Sequence, residues 1–238
     1  MVEKQGPEAM RNPGSKLDNC GHLCDNNPFC RFLEADTRAA LCKISVRAQY
    51  KQRQVIELDP GPNGKLMLVH KGQAIPLRIR QDGRQKGIEC LGEGDIVGLG
   101  QLFRRADQCV GISIYVKEHL EVCLFPVSEF QKLCATNANF AGEVIRNLSR
   151  RFFTVVDHLE NLTLGNGEER ILYLVDFLGA GPDNLGTSLQ TVAITHEELA
   201  LLAGINRVTA TRVIDNLKQA GKLTTSRGKL SVAKSYQS

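Results

Sequence analysis

The stretch THEELALLAGINRVTATRVIDNLKQA, residues 195–220, decides how the end of the chain folds. Thr195 with Glu198 three positions on forms a capping box, in which the hydroxyl accepts from the Glu198 amide and the carboxylate accepts in return. Leu199, Ala200, Leu202 and Ala203 give this helix its apolar side, and Gly204 stops it. Arg207 opens a second helix with Ala210, Val213, Ile214 and Leu217 facing inward. The small Ala200, the glycine at the turn and Ile205 let the two helices cross closely, as a helix-turn-helix requires.

The outer face of the second helix carries Arg207, Val208, Thr211 and Arg212. An arginine can donate two hydrogen bonds to guanine O6 and N7, and a valine can touch a thymine methyl. Arg207 and Arg212 are therefore the expected base readers, with Val208, Thr211 and Thr195 beside them. Residues 222–225 and 229–233 read as a hairpin across Arg227-Gly228, a wing that sets Arg227 and Lys229 against phosphates. From Gly204 to Ser238 there are seven Lys or Arg against one acid, Asp215, although the whole chain carries a net charge of only +4. Positive charge gathered in this way suits a polyanion.

Before this region, residues 140–164 contain no proline, and Val144, Leu148, Phe152, Val155, Leu159 and Leu162 recur at spacings of three and four. That is a heptad seam on a long helix. The seam serves either a partner helix or the chain's own preceding domain. From about Tyr50 to Phe125, short β-type segments alternate with glycine and Asp-Gly turns. They are expected at Lys65–His70, Ala74–Arg80, Gly87–Leu91, Gly111–Val116 and Glu121–Phe125, the pattern of a sandwich or small barrel. Residues 19–34, NCGHLCDNNPFCRFLE, hold three cysteines in eleven positions and read as a compact module of their own. The expected divisions are a flexible polar arm (1–18), the cysteine-rich module with the β domain (19–137), the long helix (138–164) and the helix-turn-helix domain (165–238).

A hydrophobic content of 42% with 24% charged residues is that of a soluble globular chain. No apolar run approaches the roughly 20 residues that cross a bilayer, and the N-terminus has no secretory signal, so the expected location is cytoplasmic, with no membrane partner. In a reducing cytosol eight cysteines are read as metal ligands, redox groups or plain buried residues rather than disulfides. No Ser-His-Asp, paired-carboxylate or His-x-Glu with Cys-x-x-Cys constellation is present, which argues against an enzyme.

With these residues on the page, the chain resembles the CRP/FNR family of bacterial transcription regulators. The resemblance runs through Lys71-Gly72, Gly94-Asp95-Ile96-Val97-Gly98, the long helix, Glu168-Glu169-Arg170 and the stretch from Ile194 to Val232. It implies an α+β fold: an N-terminal double-stranded β-roll of the cyclic-nucleotide-binding type, a long central dimerisation helix and a C-terminal winged helix-turn-helix. It also implies a homodimer on palindromic double-stranded DNA, with RNA polymerase as a further partner. Where cyclic-AMP-binding members carry an acid and an Arg-Ser pair, this chain has Leu99 and Cys109-Val110, so no cyclic nucleotide is expected. Where relatives have a glutamate after the Arg207 position, Val208 cannot accept from a cytosine amine, and an altered half-site is expected.

The cysteines Cys20, Cys24, Cys30 and Cys123 resemble the ligand set of the fumarate–nitrate (FNR) branch, which implies a [4Fe–4S] cluster sensitive to oxygen or nitric oxide. The departure is three residues, not two, between Cys20 and Cys24. Four thiolates can hold such a cluster. Zinc ranks lower, because structural zinc sites favour two close pairs. The alternative is a regulator without a cluster, responding to a small organic effector in the β-roll or to thiol redox state. Cys42, Cys90, Cys109 and Cys134 are expected to be small buried residues, with Cys109 at the family's ligand-clamp position.

Overall fold

The computed structural model describes residue 24 and residues 26–59, 64–79, 85–87, 89–102, 111–180, 192–226 and 229–233. The chain divides into two compact units, one of residues 1–78 with 90–153, the other of 79–89 with 154–238.

In the first unit a short helix, α1 (Ala35–Lys43), precedes the β-roll. Its strands are β1 (Val46–Tyr50), β2 (Val55–Leu58), β3 (Lys65–Lys71), β4 (Ala74–Ile79), β5 (Gln85–Gly87), β6 (Ile96–Val97), β7 (Ile112–Val116) and β8 (Leu120–Pro126). They form two four-stranded sheets, in the orders β1-β8-β3-β6 and β2-β7-β4-β5. In the first sheet β8 is central, pairing Leu68 with Cys123 on one side and Arg47 with Cys123 on the other. Leu66 to Val69 are all fully buried, because this strand is covered on both faces and the period of two gives way to a continuous apolar run. Gly72 turns the β3–β4 corner with φ +88, and a Cβ there would strike the His119 carbonyl oxygen.

Two helices follow, α2 (Val127–Thr136) and the 27-residue α3 (Ala138–Leu164). The second unit contains α4 (Gly167–Ala180), α5 (His196–Ala203), α6 (Arg207–Gln219) and the hairpin β9 (Leu223–Ser226) with β10 (Lys229–Val232). The mixed α+β architecture read from the sequence is the observed one.

Several expectations need correction. The strand expected at Gly87–Leu91 lies earlier: the pairing segment is Gln85–Gly87, and Leu91 makes an isolated bridge, exchanging both backbone hydrogen bonds with Ala74. Just beyond it Asp95 accepts from the Gly92 amide and folds the chain into a turn, which leaves no room to extend the ladder. The strands at 46–50, 55–58 and 96–97 went unread. The cysteine-rich segment is not a module of its own, because Cys24, Phe29, Cys30 and Leu33 share one core with Leu66, Leu68, Phe125, Phe130 and Phe140. Too short to bury its own apolar side chains, the segment borrows the β-roll's.

The helix-turn-helix has the expected cap. Thr195 accepts from the Glu198 amide at 3.1 Å, and Glu198 accepts from the Thr195 amide at 2.8 Å. Replacing Thr195 by alanine should lower unfolding free energy by about 1 kcal/mol in denaturant titrations that follow the second unit.

Candidate functional site

Two regions carry functional side chains, one in each unit. In the second unit α5 ends on Gly204 in the left-handed region (φ 67), and Asn206 caps α6 by accepting from the Thr209 amide at 2.7 Å. Ala210, Ile214 and Leu217 are fully buried beneath α6, together with Leu199, Leu202 and Ala203 of α5. The opposite face is open: Arg207 and Arg212 are exposed, and Val208 is 80% exposed. Val208 thus presents its methyl groups to solvent at the start of the second helix.

Thr211 is half-buried, and its hydroxyl lies 3.1 Å from Nδ1 of His196, so the first helix restrains this candidate contact on the second. The sequence reading missed that role of His196. On the wing Lys229 is exposed, while Lys222 is drawn to Glu168 at 3.9 Å and Lys218 to Asp215 at 3.9 Å. Arg227 lies outside the described residues. The arrangement can present two arginines and an apolar tip to the edges of bases, with lysine beside the backbone.

In the first unit the thiols of Cys24, Cys30 and Cys123 are all buried and belong to a single apolar core. Cys42 and Cys134 pack against the same core, half-buried, and Cys90 is half-buried elsewhere, so these three are less enclosed than their apolar segments suggested. Burial pushes the Cys134 thiol up to about 11. Cys24 Sγ stands 3.7 Å from Cys42 Sγ, and Cys123 Sγ stands 3.2 Å from His70 Nε2. Among the described residues no three His, Cys, Asp or Glu converge closely enough to hold a metal ion. Cys20 and Cys109 lie outside the described residues.

The loop from Cys24 to Cys30 is tied by Asn27, which is itself buried. Its side-chain oxygen accepts from the amides of Phe29 (3.0 Å) and Cys30 (3.4 Å), and its side-chain nitrogen donates to the Val69 carbonyl at 2.9 Å. The same carbonyl accepts from the Gly94 amide at 2.9 Å. Gly94 has φ +83, and a Cβ there would lie 2.8 Å from Pro28 Cβ, so the loop sits directly on this corner. The Gly94 carbonyl accepts from Asn147 of α3 at 2.8 Å. Arg150 of α3 pairs with Asp95 at 2.7 Å, and Arg151 donates to the Ile96 carbonyl. Cysteine loop, β6 corner and long helix are thus linked by buried hydrogen bonds.

The helix seam divides in two. Val144 is buried in the chain's own core beside Phe140, so it is unavailable to a partner, contrary to the reading that placed it in the dimer seam. On the same side Asn147, Arg150 and Arg151 hold the β-roll corner. Ile145, Leu148, Phe152, Phe153, Val155, Val156 and Leu159 are all exposed, with Phe152 at 65% and Leu159 at 60%. Ile145, Phe153 and Val156 were missed by the strict heptad count. The side chain of Leu162 lies outside the described residues.

With this geometry in place, comparison with known proteins is informative. Residues 47–137 match the cyclic nucleotide-binding domain family, and residues 169–234 match the Crp-like helix-turn-helix domain family. The chain belongs to the CRP/FNR family of transcription regulators. Its fold is similar to that of CLP from Xanthomonas campestris, described as a c-di-GMP responsive global regulator: TM-score 0.70, 22% identity, covering 84% of this chain and 99% of that one. It is also similar to FixK2 of Bradyrhizobium japonicum, with TM-score 0.64, 16% identity and coverage of 80% and 93%. The global nitrogen regulator of Synechococcus elongatus is 22% identical over 179 residues, 72% of this chain and 78% of that protein. No helix among the described residues is long and apolar enough to cross a membrane.

For this CRP/FNR-type regulator, Arg212→Ala should weaken operator binding by roughly 1–3 kcal/mol and relax the choice at one guanine. Anisotropy titrations against a panel of half-site variants check both effects. An unchanged base preference would remove Arg212 from the set of base readers.

Proposed function

We propose that this regulator binds palindromic DNA as a homodimer and that the state of its N-terminal cysteine loop sets the dimer. The observation that carries the reading is the buried chain from Asn27 through Val69 and Gly94 to Asn147, which ties the loop to the long helix. Cys24, Cys30 and Cys123, with Cys20 from outside the described residues, would hold a [4Fe–4S] cluster. The chemistry of the set fits, being all thiols with three in one core, although the described thiols do not converge on one point. When bound, such a cluster supplies a centre sensitive to oxygen, nitric oxide and redox state.

The chain's residues do the rest. Thiols engaged at both ends of the loop hold Asn27 under the Val69 carbonyl, and Pro28 stays seated on Gly94. Release of Cys24 and Cys30 frees Asn27, and the Val69 carbonyl keeps Gly94 but loses its second donor, at a cost of about 0.5–1.5 kcal/mol. The Gly94 corner, which braces α3 through Asn147 and Arg150, is then free to shift. The exposed strip from Ile145 to Leu159 would pack against its copy, setting two recognition helices on adjacent half-sites. Leu99 is buried among apolar groups and offers no acceptor to a ribose, so a cyclic nucleotide is no part of this reading. A cytoplasmic location and contact with RNA polymerase belong to the same proposal.

Protein purified without oxygen should be coloured and carry iron and acid-labile sulfide. A colourless, iron-free protein that still binds its operator would instead favour the organic-effector or thiol reading. Phe152→Glu should leave the fold intact by circular dichroism yet give a monomer in sedimentation, with operator affinity falling as the second half-site is lost. Asn147→Ala should keep the metal but make operator affinity insensitive to its removal, which parallel titrations of loaded and chelator-treated protein would reveal.

A further inference from the structure

Five of the eight cysteines meet in one core of the first unit, and they do not stand there as equals. Cys30 is fully enclosed, and Cys123 is occupied with His70. Cys134 is held as a neutral thiol, its titration pushed up to about 11 by burial. Cys24 and Cys42 are different, because their sulfurs stand 3.7 Å apart across 18 positions of sequence. Cys42 lies in the last turn of α1 and is partly open to solvent, whereas Cys24 is 3% exposed.

We propose that Cys24 and Cys42 form a reversible disulfide, a thiol-redox site separate from any metal chemistry of the chain. A disulfide sulfur pair lies about 2 Å apart, so the two sulfurs, now at 3.7 Å, have a short distance to close. The oxidant is a small disulfide of the glutathione class. The more accessible Cys42 thiolate attacks one of its sulfurs, forming a mixed disulfide and expelling one thiolate. Cys24 then attacks the Cys42 sulfur, forming the intramolecular bond and expelling the second thiolate. The two protein thiols are oxidised, one external disulfide is reduced to two thiols, and the two protein protons end on those products. A reducing compartment reverses the step, as suits a transient sensing bond.

The bond has a consequence for the loop. Cys24 begins the turn that Asn27 closes, with the Asn27 amide donating to the Cys24 carbonyl at 3.2 Å. Joined to α1, Cys24 is withdrawn from any metal, so oxidation and metal loading exclude one another. The inference does not depend on the cluster, since it needs only the two thiols.

The test uses the full chain, purified without oxygen, assayed for iron and sulfide, then stripped of any metal with a chelator, reduced, treated with glutathione disulfide and alkylated. Peptide mapping should find residues 24 and 42 joined, two free thiols lost per chain, and full recovery with dithiothreitol. In Cys42→Ser the cross-link should vanish, while iron content and operator binding before oxidation match the parent. Cys42→Ala provides a second variant should serine disturb α1. A cross-link dominated by Cys20 with Cys24, or no intramolecular cross-link at all, overturns the proposal. Iron and sulfide assays on the starting protein report on the cluster independently: an iron-free chain that still forms the 24–42 bond sinks the cluster and keeps this site.

Discussion

The carbonyl of Val69 accepts two hydrogen bonds inside the first unit, one from the Asn27 side chain and one from the Gly94 amide. Water cannot replace either donor there, because the strand around it is fully buried. A buried acceptor that loses its partner keeps the whole desolvation penalty, so the two donors hold or fail at real energetic cost. This one atom joins the cysteine loop to the corner that carries Asp95 and Ile96. That corner is in turn gripped by Asn147, Arg150 and Arg151 of the long helix. Gly94 makes the junction possible, since any side chain there would meet Pro28 and would also have to adopt a positive φ.

The long helix is built for two tasks, which its side chains separate along its length. Phe140 and Val144 belong to the core beneath it, and Asn147 reaches the β-roll corner. From Ile145 onward the opposite side exposes seven large apolar residues. A contiguous strip of that kind marks an interaction surface. Within the first unit Asn147 and the exposed Ile145 and Leu148 share one turn of this helix. Past the division of the chain at residue 153, Tyr173 stacks on Phe177 and lies near His158. Burial, with Asp157 nearby, pushes the tyrosine up to about 12, so it stays a neutral packing group.

What the sequence disclosed and what it hid follow a physical pattern. The helix-turn-helix was legible nearly residue by residue, because caps, a stop glycine and a three-to-four apolar period are all local signals. Thr195, Glu198, Gly204 and Ala210 stand where those signals put them. The β-roll was legible as a class, yet three of its strands were not. Val46–Tyr50, Val55–Leu58 and Ile96–Val97 are short, and pairing with distant strands decides their state. Val144 was misassigned because a period of three and four says which side of a helix is apolar, not what covers it. Asn27 carries no local signal, since nothing in its neighbours reveals that its side-chain amide reaches Val69, 42 positions away. His196 escaped for a similar reason: its partner Thr211 lies 15 positions on, across the turn.

The concentration of thiols in an apolar core has a logic of its own. A protonated cysteine packs there as a small, soft apolar group and costs nothing. A thiolate does not, as the displacement of Cys134 shows. Chemistry that draws on these sulfurs must therefore remove or neutralise the charge as it appears. A metal does so by coordination and a disulfide does so by covalent pairing. Asn27 links the Cys24 loop to the β-roll corner, and on α1 the Cys42 sulfur stands beside that of Cys24. On the proposed reading, the chemical state of Cys24 is what the hydrogen-bonded path to the long helix senses, whichever reaction has set it.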